Sequence, residues 1–158
     1  MKQPIVFLVL FVIATIIGVH YMIDYSKYKF SMNKNSMEKI KEVKKLFQPK
    51  IYAILAELET KGYRPIVAEG LRTLAQENVK IKEGNTQLSN PKRSRHTTGD
   101  AVDIVDARYG WEGPAANLKF KFWTDLGIAA REQGLEWGGD WHSFKDVAHV
   151  QVPRSMDP

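Results

Sequence analysis

The sequence predicts an α+β fold: a small, mainly antiparallel sheet flanked by helices and preceded by one N-terminal transmembrane helix. Three observations predict it. Apolar residues recur at helical spacing in several stretches of the chain, short apolar runs of strand length fall between and after them, and residues 5–23 are almost free of polar side chains. With 158 residues the chain has room for one compact domain and one appendage. We therefore divide it into an anchor at 1–24, a juxtamembrane linker at 25–35 and a folded domain at 36–158.

From Ile5 to Ile23 the chain runs through Ile, Val, Phe and Leu, with Lys2 before it and Asp24 after it, a length that spans hydrocarbon as a helix. A cleaved signal peptide is the alternative. The run ends in Val19-His20-Tyr21-Met22, which is no small-x-small cleavage site, so an uncleaved single-pass anchor is expected, with His20 at the interface. Lys27, Lys29, Lys34, Lys39 and Lys41 outnumber Lys2, a bias that by itself keeps the domain in the cytoplasm. The chemistry read below places it instead on the periplasmic or cell-wall side. Tyr25 to Asn35 is polar and lysine-rich without an apolar period, and reads as linker.

Asn35 followed by Glu38 resembles a helix start, and Met37, Ile40, Val43 and Phe47 keep helical spacing until Pro49 interrupts. Pro49 suits the first turn of a second helix that buries Ile51, Ile54, Leu55 and Leu58 and stops at Lys61-Gly62. A strand is expected at 65–68, a helix at 73–82, and a polar stretch without period at 83–95. A short buried strand at 101–105, a helix at 115–133 ended by Gly134, and a last strand at 148–152 complete the order.

The absence of cysteine excludes disulfides and thiolate metal sites, so any metal must be held by His, Asp or Glu. The net charge of +5 favours polyanions without choosing among nucleic acid, anionic lipid and wall polymer. Its lysines cluster just after the hydrophobic segment instead of alternating with aromatics, so no nucleic-acid partner is expected. A monomer is expected.

Asp103 stands inside the apolar run Ala101-Val102-Asp103-Ile104-Val105, where a bare carboxylate is costly. Strand alternation puts Ala101, Asp103 and Val105 on one face and Val102 and Ile104 on the other, and the small Ala101 leaves space for a metal beside the carboxylate. A turn-capping Asp, or one paired with Arg95 or Arg108, is the structural alternative. His149 lies in a second apolar strand, and His96 arrives from the preceding loop. Two imidazoles and a carboxylate, with a fourth position left open, are the composition of a catalytic zinc site. Asp146 cannot share a straight strand face with His149, yet a turn there brings it to the attacking water as general base; turn capping is its alternative role. Gly138-Gly139 permits a tight backbone path beside the cleft, Trp137 and Trp141 belong either to the core or to the substrate surface, and His142 reads as a surface residue.

The run Ser94-x-His96-x-x-Gly99-x-Ala101-x-Asp103, then Trp137-Gly138-Gly139-Asp140-Trp141, then Asp146-x-x-His149 resembles the M15 family of zinc peptidases, and among them the phage and bacterial L-alanyl-D-glutamate endopeptidases. Glu69-Gly70-Leu71-Arg72-Thr73 followed by Gln76 resembles the G-x-R-T segment of that family with its trailing Gln, and the likeness spans about Leu46 to Gln151. The resemblance implies the M15, hedgehog-like peptidase fold and one zinc ion per chain held by His96, Asp103 and His149. It implies Asp146 as catalytic base and Arg72 as a cationic stabiliser; a bidentate fork for a substrate carboxylate is the alternative role of Arg72, and substrate contacts are expected at Gln76, Ser94, Trp137 and Trp141. The expected reaction is hydrolysis of peptidoglycan stem peptides at the L-Ala-D-Glu bond. A D,D-carboxypeptidase or dipeptidase of the same family, and a zinc-containing wall-binding module without catalysis, are the alternatives.

Overall fold

The computed structural model describes residues 33–156. Helix α1, Lys34–Glu42, is capped by Asn33, whose side chain accepts from Asn35 N, two residues upstream of the predicted cap. Val43 turns extended, and α2, Gln48–Thr60, starts with Pro49 in its first turn. Strand β1, Pro65–Glu69, leads to α3, Leu74–Lys82, which opens on a capping box between Thr73 and Gln76. Strand β2, Ala101–Asp106, helix α4, Lys121–Glu132, and the short strands β3, Glu136–Trp137, and β4, His149–Gln151, follow.

The sheet has the order β1-β2-β4-β3 with every pair antiparallel. One of its faces forms the core: Val67, Val102, Ile104 and Val150 join Ile54, Leu55 and Leu58 of α2 and Phe122, Trp123 and Leu126 of α4, all of them buried. Full burial of one such side chain contributes roughly 1.5–3 kcal/mol. The edge strand β1 is covered by α1, since Ser36 Oγ accepts from Val67 N at 3.0 Å and Lys39 Nζ donates to Ala68 O.

The α+β arrangement with an antiparallel sheet flanked by helices is found, but the transmembrane helix of the expected fold is corrected. Among the described residues no helix is long and apolar enough to cross a membrane. The longest, α2, has 13 residues, or about 20 Å against a hydrocarbon core of about 30 Å, and its apolar side is buried in the domain. The predicted span at 1–24 lies outside the described residues. The single-pass anchor, the membrane as a partner and the membrane-anchored, wall-side placement are corrected with it. The predicted helix at 115–133 is shorter at its start: Gly113-Pro114 forms a separate 3-10 turn through Ala116, and α4 begins only at Lys121.

Candidate metal centre and cleft

Two central strands carry the first two groups. Asp103 on β2 and His149 on β4 are direct cross-strand partners, so their side chains leave the sheet on the same face, opposite Val102 and Val150. His149 Nδ1 lies 3.2 Å from Asp103 Oδ1. His96 comes from the 3-10 turn Arg95–Thr98 before β2, and its Nε2 lies 3.1 Å from His149 Nδ1 and 3.3 Å from Asp103 Oδ1. All three residues are buried.

The turn that delivers His96 ends on Gly99 at φ +71°, a left-handed conformation in which a side chain is strained. Gly99 O accepts from Lys44 N at 3.0 Å, and Lys44 Nζ and Thr98 Oγ1 converge on Asp100 Oδ2 at 2.7 and 2.6 Å. The break between α1 and α2 thus clamps the turn, and Arg72 N donates to His96 O from the other side at 3.2 Å.

Hydrogen bonds around the two imidazoles fix their tautomers. His96 Nδ1 is 2.8 Å from Gly70 O, which only accepts, so Nδ1 carries the hydrogen and Nε2 presents a lone pair. Gln151 Nε2 donates to Glu136 Oε2 at 2.6 Å, which turns Gln151 Oε1 toward His149 Nε2 at 3.1 Å. His149 therefore carries its hydrogen on Nε2 and presents Nδ1. Two nitrogen lone pairs and a carboxylate oxygen face one another, which is repulsive unless a cation stands between them. With a proton as that cation, burial still opposes ionisation of Asp103, yet the charge and hydrogen bonding of His96 and His149 outweigh it and hold its carboxyl well below the usual range. Burial likewise lowers the pKa of His149, but the hydrogen bond that a protonated Nδ1 gives Asp103, and that carboxylate's charge, leave it raised, so a proton is held where a metal ion would otherwise stand. A tetrahedral zinc with bonds of about 2.0–2.1 Å needs donors about 3.3–3.4 Å apart. The observed spacings of 3.1, 3.2 and 3.3 Å fit that ion with little adjustment.

The trio opens into a cleft of about 830 Å³ that Arg72, Ser94, Trp141 and Asp146 also line. Asp146 begins a turn into β4: its carbonyl accepts from His149 N at 3.2 Å, and its N donates to Gly138 O at 3.1 Å. A Cβ at Gly138 would run into the Asp146 carbonyl, so glycine there is a steric requirement. Burial, and then the charge of Asp103, raise the pKa of Asp146. The Trp141 ring centroid is 5.1 Å from that of His149. Arg72 is enclosed by acids: Nη2 donates to Asp103 Oδ2 at 3.0 Å, Nη1 to Glu77 Oε2 at 2.7 Å, and Nε lies 2.8 Å from Glu69 Oε2.

Two sequence-predicted substrate residues are not brought to the cleft. Gln76 is exposed and completes the cap of α3, accepting from Thr73 N at 2.8 Å. Trp137 lies with its ring against Gly127 and Gly139 and donates from Nε1 to Val147 O at 2.8 Å, a packing role. His142 is exposed, as expected.

Sequence reasoning missed Gln151, Glu136, Glu69 and Glu77. Strand alternation held a signal for Gln151, two residues from His149 and so on its face. Glu136 sits on a two-residue strand that has no readable period, and the acids around Arg72 meet only in three dimensions.

A family profile described as phage L-alanyl-D-glutamate peptidase matches residues 28–155. The chain is 30% identical over 134 residues to the L-alanyl-D-glutamate peptidase of Escherichia phage T5, covering 79% of this chain and 90% of that protein. It is 30% identical over 112 residues to a peptidoglycan L-alanyl-D-glutamate endopeptidase of Bacillus subtilis strain 168, covering 63% of this chain and 67% of that one. Among solved structures, the L-Ala D-Glu endopeptidase of Serratia marcescens superposes with a TM-score of 0.54 at 28% identity, covering 76% of this chain and 87% of that one.

Proposed function

From the premise that the chain belongs to the phage L-alanyl-D-glutamate peptidase family, we propose that it is a zinc peptidase hydrolysing the L-Ala-D-Glu bond of peptidoglycan stem peptides. The observation that carries the reading is the convergence of His96 Nε2, Asp103 Oδ1 and His149 Nδ1 at 3.1–3.3 Å with their lone pairs facing. In this reading residues 36–158 form the peptidase domain, and His96, Asp103 and His149 hold the zinc. Bound zinc supplies Lewis acidity, which acidifies water and polarises a scissile carbonyl.

The remaining steps belong to the chain's own residues. Asp146, its affinity for a proton raised by burial and by Asp103, takes a proton from the attacking water as the new C–O bond forms. The same carboxyl then gives that proton to the amine nitrogen as the C–N bond breaks. The Glu136–Gln151 pair keeps the Nδ1 lone pair of His149 directed into the site, and the Gly70 carbonyl does the same for Nε2 of His96. Arg72 adds positive potential at the cleft wall and steadies Asp103. Ser94 and Trp141 are proposed as substrate contacts, because both line the cleft.

The test is digestion of purified peptidoglycan by the zinc-loaded protein, with and without chelator, and identification of the new termini by mass spectrometry. Chelator-sensitive appearance of L-Ala carboxyl and D-Glu amino ends is the expected result. Release of terminal D-Ala would instead assign a carboxypeptidase, and zinc binding without any cleavage would assign a binding module.

A further inference from the structure

Glu77 is a buried carboxylate that the hydrolytic steps above do not use. It is 1% exposed, and its Oε1 is buried without a hydrogen-bond partner among the described residues. Such an oxygen is destabilising, so packing alone gives no reason for Glu at a helix position that an apolar side chain would fill. Its other oxygen, Oε2, holds Arg72 Nη1 at 2.7 Å. Glu69 flanks the guanidinium at Nε, and Lys80 Nζ is tied to the far oxygen of Glu69 at 2.7 Å.

The consequence falls on Asp103. Arginine facing a lone carboxylate takes both oxygens as a bidentate fork. Here Nη1 is held by Glu77, so only Nη2 reaches Asp103, and it reaches Oδ2. Oδ1 is left pointing at the two imidazoles. Resting on the zinc-site reading above, we infer that Glu77 is a positioning residue: it shares Arg72 with Asp103 and thereby keeps Asp103 Oδ1 available to the metal.

The experiment compares zinc dissociation constants, by competition with a chromophoric chelator, for the full-length wild type, Glu77→Gln, Arg72→Met and Arg72→Met/Glu77→Gln. Near-UV circular dichroism of each metal-free protein reports packing. Glu77→Gln is expected to weaken zinc about 10- to 100-fold with its dichroism unchanged. Because Glu77 acts through Arg72, adding Glu77→Gln to Arg72→Met is expected to weaken zinc no further. Glu77→Met, similar in volume and uncharged, repeats the comparison should the Gln variant pack poorly. Zinc affinity of Glu77→Gln equal to wild type overturns the inference, as does an equal loss in both backgrounds, which would make Glu77 a direct electrostatic contributor. A wild type that binds no zinc overturns the site reading itself, a result distinct from either.

Discussion

Strand β2 carries two buried carboxylates three residues apart, and they have opposite surroundings. Asp106 is satisfied within the fold: Arg108 donates to it from its backbone N, from Nε and from Nη2. Burial raises its pKa, but the hydrogen bonds and charge of Arg108 outweigh that and leave it lowered. Asp103 is met by one arginine nitrogen on Oδ2, while Oδ1 faces two imidazole lone pairs. The first is a closed ion pair, and the second belongs to a group that could hold a metal ion. Burial of a carboxylate therefore does not identify a functional site; what its free oxygen faces does.

The sharpest way to break this comparison is to remove each carboxylate in turn. Asp103→Ala is expected to abolish stoichiometric zinc and to reduce hydrolysis by roughly 1000-fold or more, since the metal is worth several kcal/mol at about 1.36 kcal/mol per decade. Asp106→Ala is expected to leave zinc content and kcat/KM near wild type while lowering unfolding free energy by about 1.5–3 kcal/mol. Denaturant melts beside metal analysis check both, and loss of zinc from the Asp106 variant would dissolve the distinction. Asp146→Asn separates metal binding from proton transfer: zinc is retained and kcat falls about 100- to 10,000-fold. Loss of zinc there would make Asp146 a ligand.

A third carboxylate sharpens the closed class. Asp125 on α4 accepts from Tyr63 Oη and Lys121 Nζ, each at 2.6 Å, and burial's upward push on its pKa is outweighed by the Lys121 and Tyr63 hydrogen bonds and the Lys61 charge. Its folded pKa is therefore below the unfolded value of about 3.9. The stability it contributes is fully present above that value and is lost as pH falls through the folded pKa. Asp125→Asn is expected to be destabilised by about 1–2 kcal/mol at pH 7, with the gap to wild type closing in acid melts. The smallest effect is expected at Gln76, where Ala removes half of a capping box, lowers stability by about 0.5–1 kcal/mol and leaves kcat/KM unchanged. A large kinetic loss would return Gln76 to the cleft.

Asp103 and His149 were legible because a charged or titratable side chain inside an apolar strand is a local anomaly, whereas His96, on a turn, was legible only beside them. Asp103 among Ala101, Val102, Ile104 and Val105 is visible without any structure. The alternation that put Val102 and Ile104 in the core also holds. The supporting groups were less legible. Arg72 reads as a free cation in sequence, whereas Glu77 reaches it only once α3 is in place, and Glu69, three residues before it, carries no sequence signal of the contact. Trp137 read as a candidate substrate contact because tryptophan serves cores and binding surfaces alike, and its packing against Gly127 depends on how α4 lies against β3. The start of α4 was misplaced because Ala115 and Ala116 favour helix locally, whereas the 3-10 turn from Gly113 places Ala115 O to accept from Trp123 Nε1 at 3.0 Å.

The most direct test of the central claim is a zinc-edge anomalous difference map from crystals of the metal-loaded protein. A single peak bonded to His96 Nε2, Asp103 Oδ1 and His149 Nδ1 at about 2.0–2.2 Å, with one position left open, is the predicted result. A peak bonded to His149 through Nε2, or one lying away from these three residues, would contradict it.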